Sequence, residues 1–169
     1  MRAYLISLFV ALVIGFAVLK SPTIEPLVDG FCLSLAQVSG GIIGVFDGAV
    51  VRDGAVLYRG SYGYAIEVTK VCNALEQSLV LAMAICLLPL SWPQRLAAVA
   101  ASFVFLQSLN VLRLISLVYG KVLLSPDHFD FLHLQIFVVV LAVAVVLFFI
   151  AFLYQNRHRL LVVEGTTHG

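Results

Sequence analysis

Charge is what this chain has least of. Of its 169 residues only 11% are Asp, Glu, Lys or Arg, against 62% that are hydrophobic. A soluble domain keeps roughly a quarter of its residues charged, because it must wet its whole surface. The shortage excludes such a domain, and a mean hydropathy of +1.09 agrees: lipid is the solvent for much of the surface. With a net charge of +1 there is no basic excess to attract nucleic acid. Cysteine is scarce as well. Cys32, Cys72 and Cys86 build no disulfide framework and fit no zinc spacing. No metal or other cofactor is expected. Internal repeats and low-complexity tracts are missing too.

What is present is a series of apolar runs. Crossing ~30 Å of hydrocarbon as a helix takes about 20 mostly apolar residues. Four stretches qualify: about 3–19, 74–90, 96–119 and 131–154. The third is interrupted only by Arg113 and the fourth only by His133. The first resembles a signal peptide, but no A-x-A cleavage pattern follows it, so it reads as an uncleaved anchor. A fifth stretch, 27–46, is uncharged from Gly30 onward and weakened by Gly30, Gly40, Gly41 and Gly44. Its residues Phe31, Leu35, Val38, Ile42 and Val45 share one helical face. It either spans the membrane or lies along its outer surface, and its amphipathic pattern favours the second.

Between residues 49 and 68 the pattern changes to strands. Asp53-Gly54 is a strong two-residue hairpin turn, flanked by 49–52 and 55–58. A third strand, from Tyr62 to Val68, leads straight toward Cys72. The expected fold is an all-α polytopic membrane protein with four to five transmembrane helices and a small extracytoplasmic β-hairpin element. Residues 1–161 form one membrane-embedded domain, and 162–169 form a disordered tail. Arg95 sits in the turn between the second and third spans, while Arg157 and Arg159 follow the last. Positive residues mark the cytoplasmic side. Cys72 is therefore expected outside, at the outer end of its helix.

Three residues carry candidate chemistry. An ionisable side chain inside a transmembrane helix is expensive and is a functional hypothesis by default. Arg113 is such a residue, and Asn110 lies one turn deeper. Taken alone, Arg113 also suits a side chain snorkelling to the headgroups. His133 opens the last span, just after the outer loop 121–130. Cys72 precedes Asn73-Ala74-Leu75-Glu76, where Asn and Glu three apart have the form of a helix cap. A thiol at a helix N-terminus meets partial positive charge, which favours the thiolate. Short antiparallel connections put Cys72, Arg113 and His133 within about two turns of one outer surface. Together they make a nucleophile, a fixed cation for an oxyanion and a general acid/base.

The segments Val71-Cys72-Asn73-Ala74-Leu75-Glu76, then 109–117 around Asn110 and Arg113, then 129–135 around His133, resemble the exosortase/archaeosortase family. The nearest form is the short one called exosortase H. The resemblance covers nearly the whole chain. It implies a membrane-embedded cysteine transpeptidase in a prokaryotic cell (inner) membrane, with its active site at the extracytoplasmic face. Its partners would be exported proteins that end in a short motif, a transmembrane helix and a basic tail. By position, Cys72 would be the nucleophile, Arg113 the partner of the oxyanion or thiolate, and His133 the acid/base. Asn73, Glu76 and Asn110 are possible supporting residues. Where the family usually has Gly and Ala, this chain has Ala74 and Gln77, larger side chains that would narrow the approach to Cys72. The alternative from another class is a non-catalytic polytopic subunit or scaffold, with Arg113 pairing a partner's acid.

Overall fold

The computed structural model describes residues 2–59 and 64–166. Six α-helices carry most of the chain: α1 (Arg2–Leu19), α2 (Glu25–Phe46), α3 (Leu75–Cys86), α4 (Trp92–Leu123), α5 (Pro126–Phe131) and α6 (Phe137–Thr166). A three-stranded antiparallel sheet in the order β1-β2-β3 stands between α2 and α3, from β1 (Val50–Asp53), β2 (Val56–Arg59) and β3 (Tyr64–Glu67). Fold class and element types agree with the sequence. Among the described residues three helical segments are long and apolar enough to cross a membrane: Glu25–Phe46, Trp92–Leu123 and Pro126–Arg157. The stretches Tyr4–Leu19 and Leu75–Cys86 are apolar but shorter.

The boundaries differ in places, each for a local reason. Helix α3 stops at Cys86 instead of running to residue 90. Pro89 disfavours helical backbone at Leu88, so the chain turns there. Pro93 then sits in the first turn of α4, and the Gln94 side chain accepts from the Ser91 N–H at 3.3 Å. At its far end α4 continues to Leu123. The expected outer loop 121–130 shrinks to Leu124 and Ser125, because Pro126 starts a new helix at once. Helix α6 continues to Thr166, past the expected start of a disordered tail at 162. No glycine or proline interrupts the chain between Phe131 and Glu164. Residues 167–169, and the expected strand start at Tyr62, lie outside the described residues.

In the hairpin the turn is displaced by one residue. Asp53 pairs with Val56 and Arg52 with Leu57, so the two loop residues are Gly54 and Ala55. Gly54 has φ +58°, which a glycine adopts without strain. Moving the turn by one residue shifts each cross-strand pair by two, so the strands keep the same faces. Leu57 points inward, where it is 1% exposed and packs with Ile43 of α2 and Val118 of α4. A Cβ at Gly40 would lie 2.9 Å from Leu57 Cδ2, so any larger residue there would have to move the Leu57 side chain.

Contacts along the helices set their directions. The Tyr4 hydroxyl donates to the Ala84 carbonyl at 3.1 Å, Gly15 lies against Leu79, and Lys20 pairs with Glu76 at 3.4 Å. Helix α1 is therefore antiparallel to α3. Helix α3 is antiparallel to α4: Asn110 meets Cys72, Gln107 meets Ser78, and Leu81 and Ile85 pack with Ala98 and Leu106. Helix α6 returns along α4, from Phe137 near Arg113 to Phe148 near Phe105. Helix α2 runs the same way as α4, from the Phe31–Phe103 ring contact to Ile43 beside Val118. Helices α1 and α2 thus follow one another in the same direction.

The inward stripe of α2 is Val28, Cys32, Leu35, Ala36, Ser39 and Ile43. Of the apolar face read from the sequence, only Leu35 is fully buried, while Val38, Ile42 and Val45 are exposed. In lipid both sides of a helix are apolar, so hydrophobicity does not mark the packed side. Small and polar residues mark it better.

Candidate active site

The site begins where β3 runs out. Val68 is buried and donates its N–H to the Ala55 carbonyl at 2.9 Å, which ties the exit of the sheet. A short 3₁₀ turn, Lys70–Cys72, follows, and α3 starts at Leu75. Lys70 is held by Glu25, its hydrogen-bonded partner, and by Asp29 at 3.3 Å. The Glu25 bond, reinforced by Asp29, raises the Lys70 ammonium above the usual lysine range.

Between the 3₁₀ turn and α3 the chain passes through Ala74 at φ 53°, the only described non-glycine residue with positive φ. Asn73 accepts the Leu75 N–H on its Oδ1 at 3.0 Å and donates from Nδ2 to Cys32 Sγ at 3.7 Å. The expected cap between Asn73 and Glu76 does not form. Ala74 occupies the cap position, and Glu76 turns away to Lys20. Cys72 therefore lies three residues ahead of the first helical residue, where the helix dipole has weakened. The family's usual glycine after Cys-Asn has a physical reason here: the position is left-handed, and Ala74 occupies it against its preference.

Arg113 is the group that acts on Cys72 directly. Its Nη2 lies 4.0 Å from the sulfur, with Arg113 5% and Cys72 6% exposed. Among the described residues no carboxylate pairs with this guanidinium, and its Nε has no hydrogen-bond partner. A snorkelling arginine would point its charge at the headgroups, whereas this one is buried against a thiol. Asn110, one turn earlier and fully buried, donates from Nδ2 to the Cys72 carbonyl at 2.9 Å. Arg113 lies ten residues before the end of α4, deeper than the expected helix end near Gly120 implied.

His133 falls in a π turn, Leu132–Ile136, that joins α5 to α6. Such turns are rare and often occur at functional sites. Its ring stacks on Phe129 at 5.9 Å, and its Nδ1 is buried with no hydrogen-bond partner. Phe137, one turn further on, has its ring 5.9 Å from the Arg113 guanidinium carbon. The structure thus brings Cys72, Arg113, Asn110 and Asn73 together. It sets His133 one turn beyond Phe137, with no hydrogen bond to Cys72 or Arg113. Glu76 is not part of the group. Cys32, buried in the same hydrophobic cluster as Cys72, also touches Asn73, and its place on the inward stripe of α2 is the one signal that could have marked it. Among the described residues no cluster of His, Cys, Asp or Glu is arranged to hold a metal ion.

A buried cysteine–arginine pair at the end of a helical membrane bundle defines a class, a polytopic membrane protein with a thiol site. Residues 1–150 match the transmembrane exosortase family (Exosortase_EpsH). The chain belongs to that family, one of membrane-embedded sorting transpeptidases that process exported proteins. No curated protein and no solved structure matches the chain.

Proposed function

We propose that Cys72 is the nucleophile of a cysteine transpeptidase that cuts a C-terminal sorting signal from exported proteins. The observation that carries this reading is the buried guanidinium of Arg113, 4.0 Å from Cys72 Sγ and, among the described residues, without a carboxylate. A buried charge needs a counter-charge. During the reaction the sulfur supplies one as it loses its proton, and the oxyanion of the tetrahedral intermediate supplies one after it.

The thiol proton passes to His133, and the sulfur attacks the carbonyl carbon of the scissile peptide. Arg113 faces the negative charge as it moves from sulfur to oxygen. Collapse of the intermediate breaks the C–N bond. The leaving amine takes the proton from His133, and the substrate stays on Cys72 as a thioester. An acceptor nucleophile, or water, then attacks that carbonyl and breaks the C–S bond. Asn110 and Asn73 hold the turn that presents the sulfur. The scaffold alternative needs Arg113 to face a partner's acid, whereas here its guanidinium is turned to the Cys72 sulfur.

The site faces the outside in this reading. Arg95 and Arg157 mark the inner side, and α1 brings the chain out. Helix α2, continuing in the direction of α1, does not return through the bilayer but carries the sheet further outward. Its contacts run from Phe103 of α4, past Lys70 and Cys72, to the sheet.

The test is Cys72→Ala. It should reach the membrane at the normal level and leave the cognate signal-bearing protein uncut, while Cys32→Ala and Cys86→Ala still cut it. Normal cleavage by Cys72→Ala would end the proposal.

A further inference from the structure

The outer surfaces of α1 and α6 are what lipid prefers. Both expose bulky side chains, among them Ile6, Phe9 and Val13 on α1 and Val139, Val143 and Leu147 on α6. Helix α4 exposes bulky side chains too, among them Leu96, Phe103 and Leu112. One line on its exposed surface is different: Ala97, Ala101, Val104 and Ser108 follow one another at helical spacing, three of them small. Small residues on a membrane helix let a second helix come close enough for backbone packing.

A stripe alone is no site, but this one runs into a groove. Between α2 and α4 lies a cavity of about 480 Å³ whose lining includes Ser34 and Val38 on one side and Val104, Gln107 and Ser108 on the other. Gln107 is 8% exposed, and while its Nε2 donates to Ser78 at 3.3 Å, its buried Oε1 has no partner. An orphaned acceptor in lipid is expensive, and a donor on an incoming helix would satisfy it. The groove is also continuous with the site. Phe31, Leu35 and Val111 line it and pack in the same cluster as Cys72 and Leu114.

We infer that this face of α4, with the groove under α2, is the dock for the transmembrane helix of the substrate. The inference rests on the proposed cleavage of a helix-bearing signal and adds where that helix lies. From Arg113 back to Arg95 is eighteen residues of α4, or about 27 Å at 1.5 Å per residue. That is close to the ~30 Å a spanning helix must cover. A helix laid along Ser108, Val104, Ala101 and Ala97 therefore has its first residue beside Cys72. Its last residue lies at the level of Arg95. The scissile peptide, just ahead of that helix, meets the sulfur without a long linker.

The test is photocrosslinking in the uncut complex. A benzoyl-phenylalanine is placed at Val104, or at Leu147 on α6 as control, in the Cys72→Ala protein. The probe is an exported protein of the same cell that ends in an apolar helix and a basic tail. The expected result is an adduct to the probe's apolar helix at Val104, at least tenfold above that at Leu147. Equal yields at both positions, no adduct with the probe, or an adduct joining two copies of this chain would overturn the inference. A companion variant, Ala101→Leu with Ser108→Leu, suits lipid but blocks close packing, and should cut the probe at least tenfold more slowly at unchanged membrane level. An unchanged rate would count against the dock. Cleavage by the wild-type chain tests the reaction separately, because crosslinking in Cys72→Ala needs no chemistry.

Discussion

The Asn110 side chain donates to the backbone carbonyl of Cys72 at 2.9 Å, so the polypeptide that carries the sulfur is anchored to α4, the helix that carries Arg113. Sulfur and guanidinium are thereby referred to one rigid element.

That anchor yields the first prediction. Asn110→Leu leaves the Cys72 carbonyl buried without its donor, which costs about 1–3 kcal/mol for such a group. The thermal midpoint in detergent should fall, and cleavage should slow at least tenfold. Ser116→Ala, which removes an exposed hydroxyl bonded to its own helix, should do neither. A normal rate in Asn110→Leu would show that the sulfur needs no tether.

Arg113→Lys separates an anchor from a site residue. Lysine also carries a charged tip, but as a compact, mobile ammonium in place of a planar fork. Loss of one oxyanion donor costs about 10²–10³ in rate in enzymes generally. The variant should insert normally and cut at least tenfold more slowly, read as cut against uncut substrate over time at equal enzyme level. A near-normal rate would reduce Arg113 to an anchor.

Ala74→Gly should stabilise the protein. A left-handed conformation costs a residue with a Cβ about 1–2 kcal/mol, and glycine gives part of that back through its more flexible unfolded chain. A net gain of up to about 1 kcal/mol is expected, seen as a higher midpoint with cleavage retained. A lower midpoint would mean that the Ala74 methyl, 3% exposed, contributes more by packing than the backbone loses.

Topology gives the fourth. Reporters fused after Pro93 and after Ser125 should report opposite sides of the membrane, the first inside. If Pro93 reports outside, the placement of Cys72 at the outer face is wrong.

Depth made the cysteine and arginine legible before any coordinates. Polar exceptions in apolar helices stand out, and antiparallel helices with short turns put them at matching levels. The partners of those exceptions were less legible. Nothing local tells that Glu76 turns to Lys20, because an Asn-x-x-Glu cap and an ion pair with another helix look alike in one dimension. The hairpin turn was read one residue early, since Asp53-Gly54 and Gly54-Ala55 both place a glycine where φ is positive. The two registers differ by a pair shift of two and present the same strand faces, so the hydrophobic pattern does not decide between them. The packed face of α2 was missed for a different reason: alternation of polar and apolar residues marks the core in water, and in lipid it does not.

Helix α4 has 32 residues, so at 1.5 Å per residue it is about 48 Å long. Fitting that length inside ~30 Å of hydrocarbon would take a tilt of about 50°, beyond the 0–40° seen in membrane helices. Part of α4 must therefore stand clear of the hydrocarbon. With Trp92 and Arg95 at the inner boundary, the part that emerges begins near Arg113. The proposed thioester then forms at the boundary where lipid gives way to headgroups, and water has access to it. Whether such an enzyme transfers or merely hydrolyses is a contest of rates at that boundary, decided by how quickly an acceptor amine reaches the acyl group before water does.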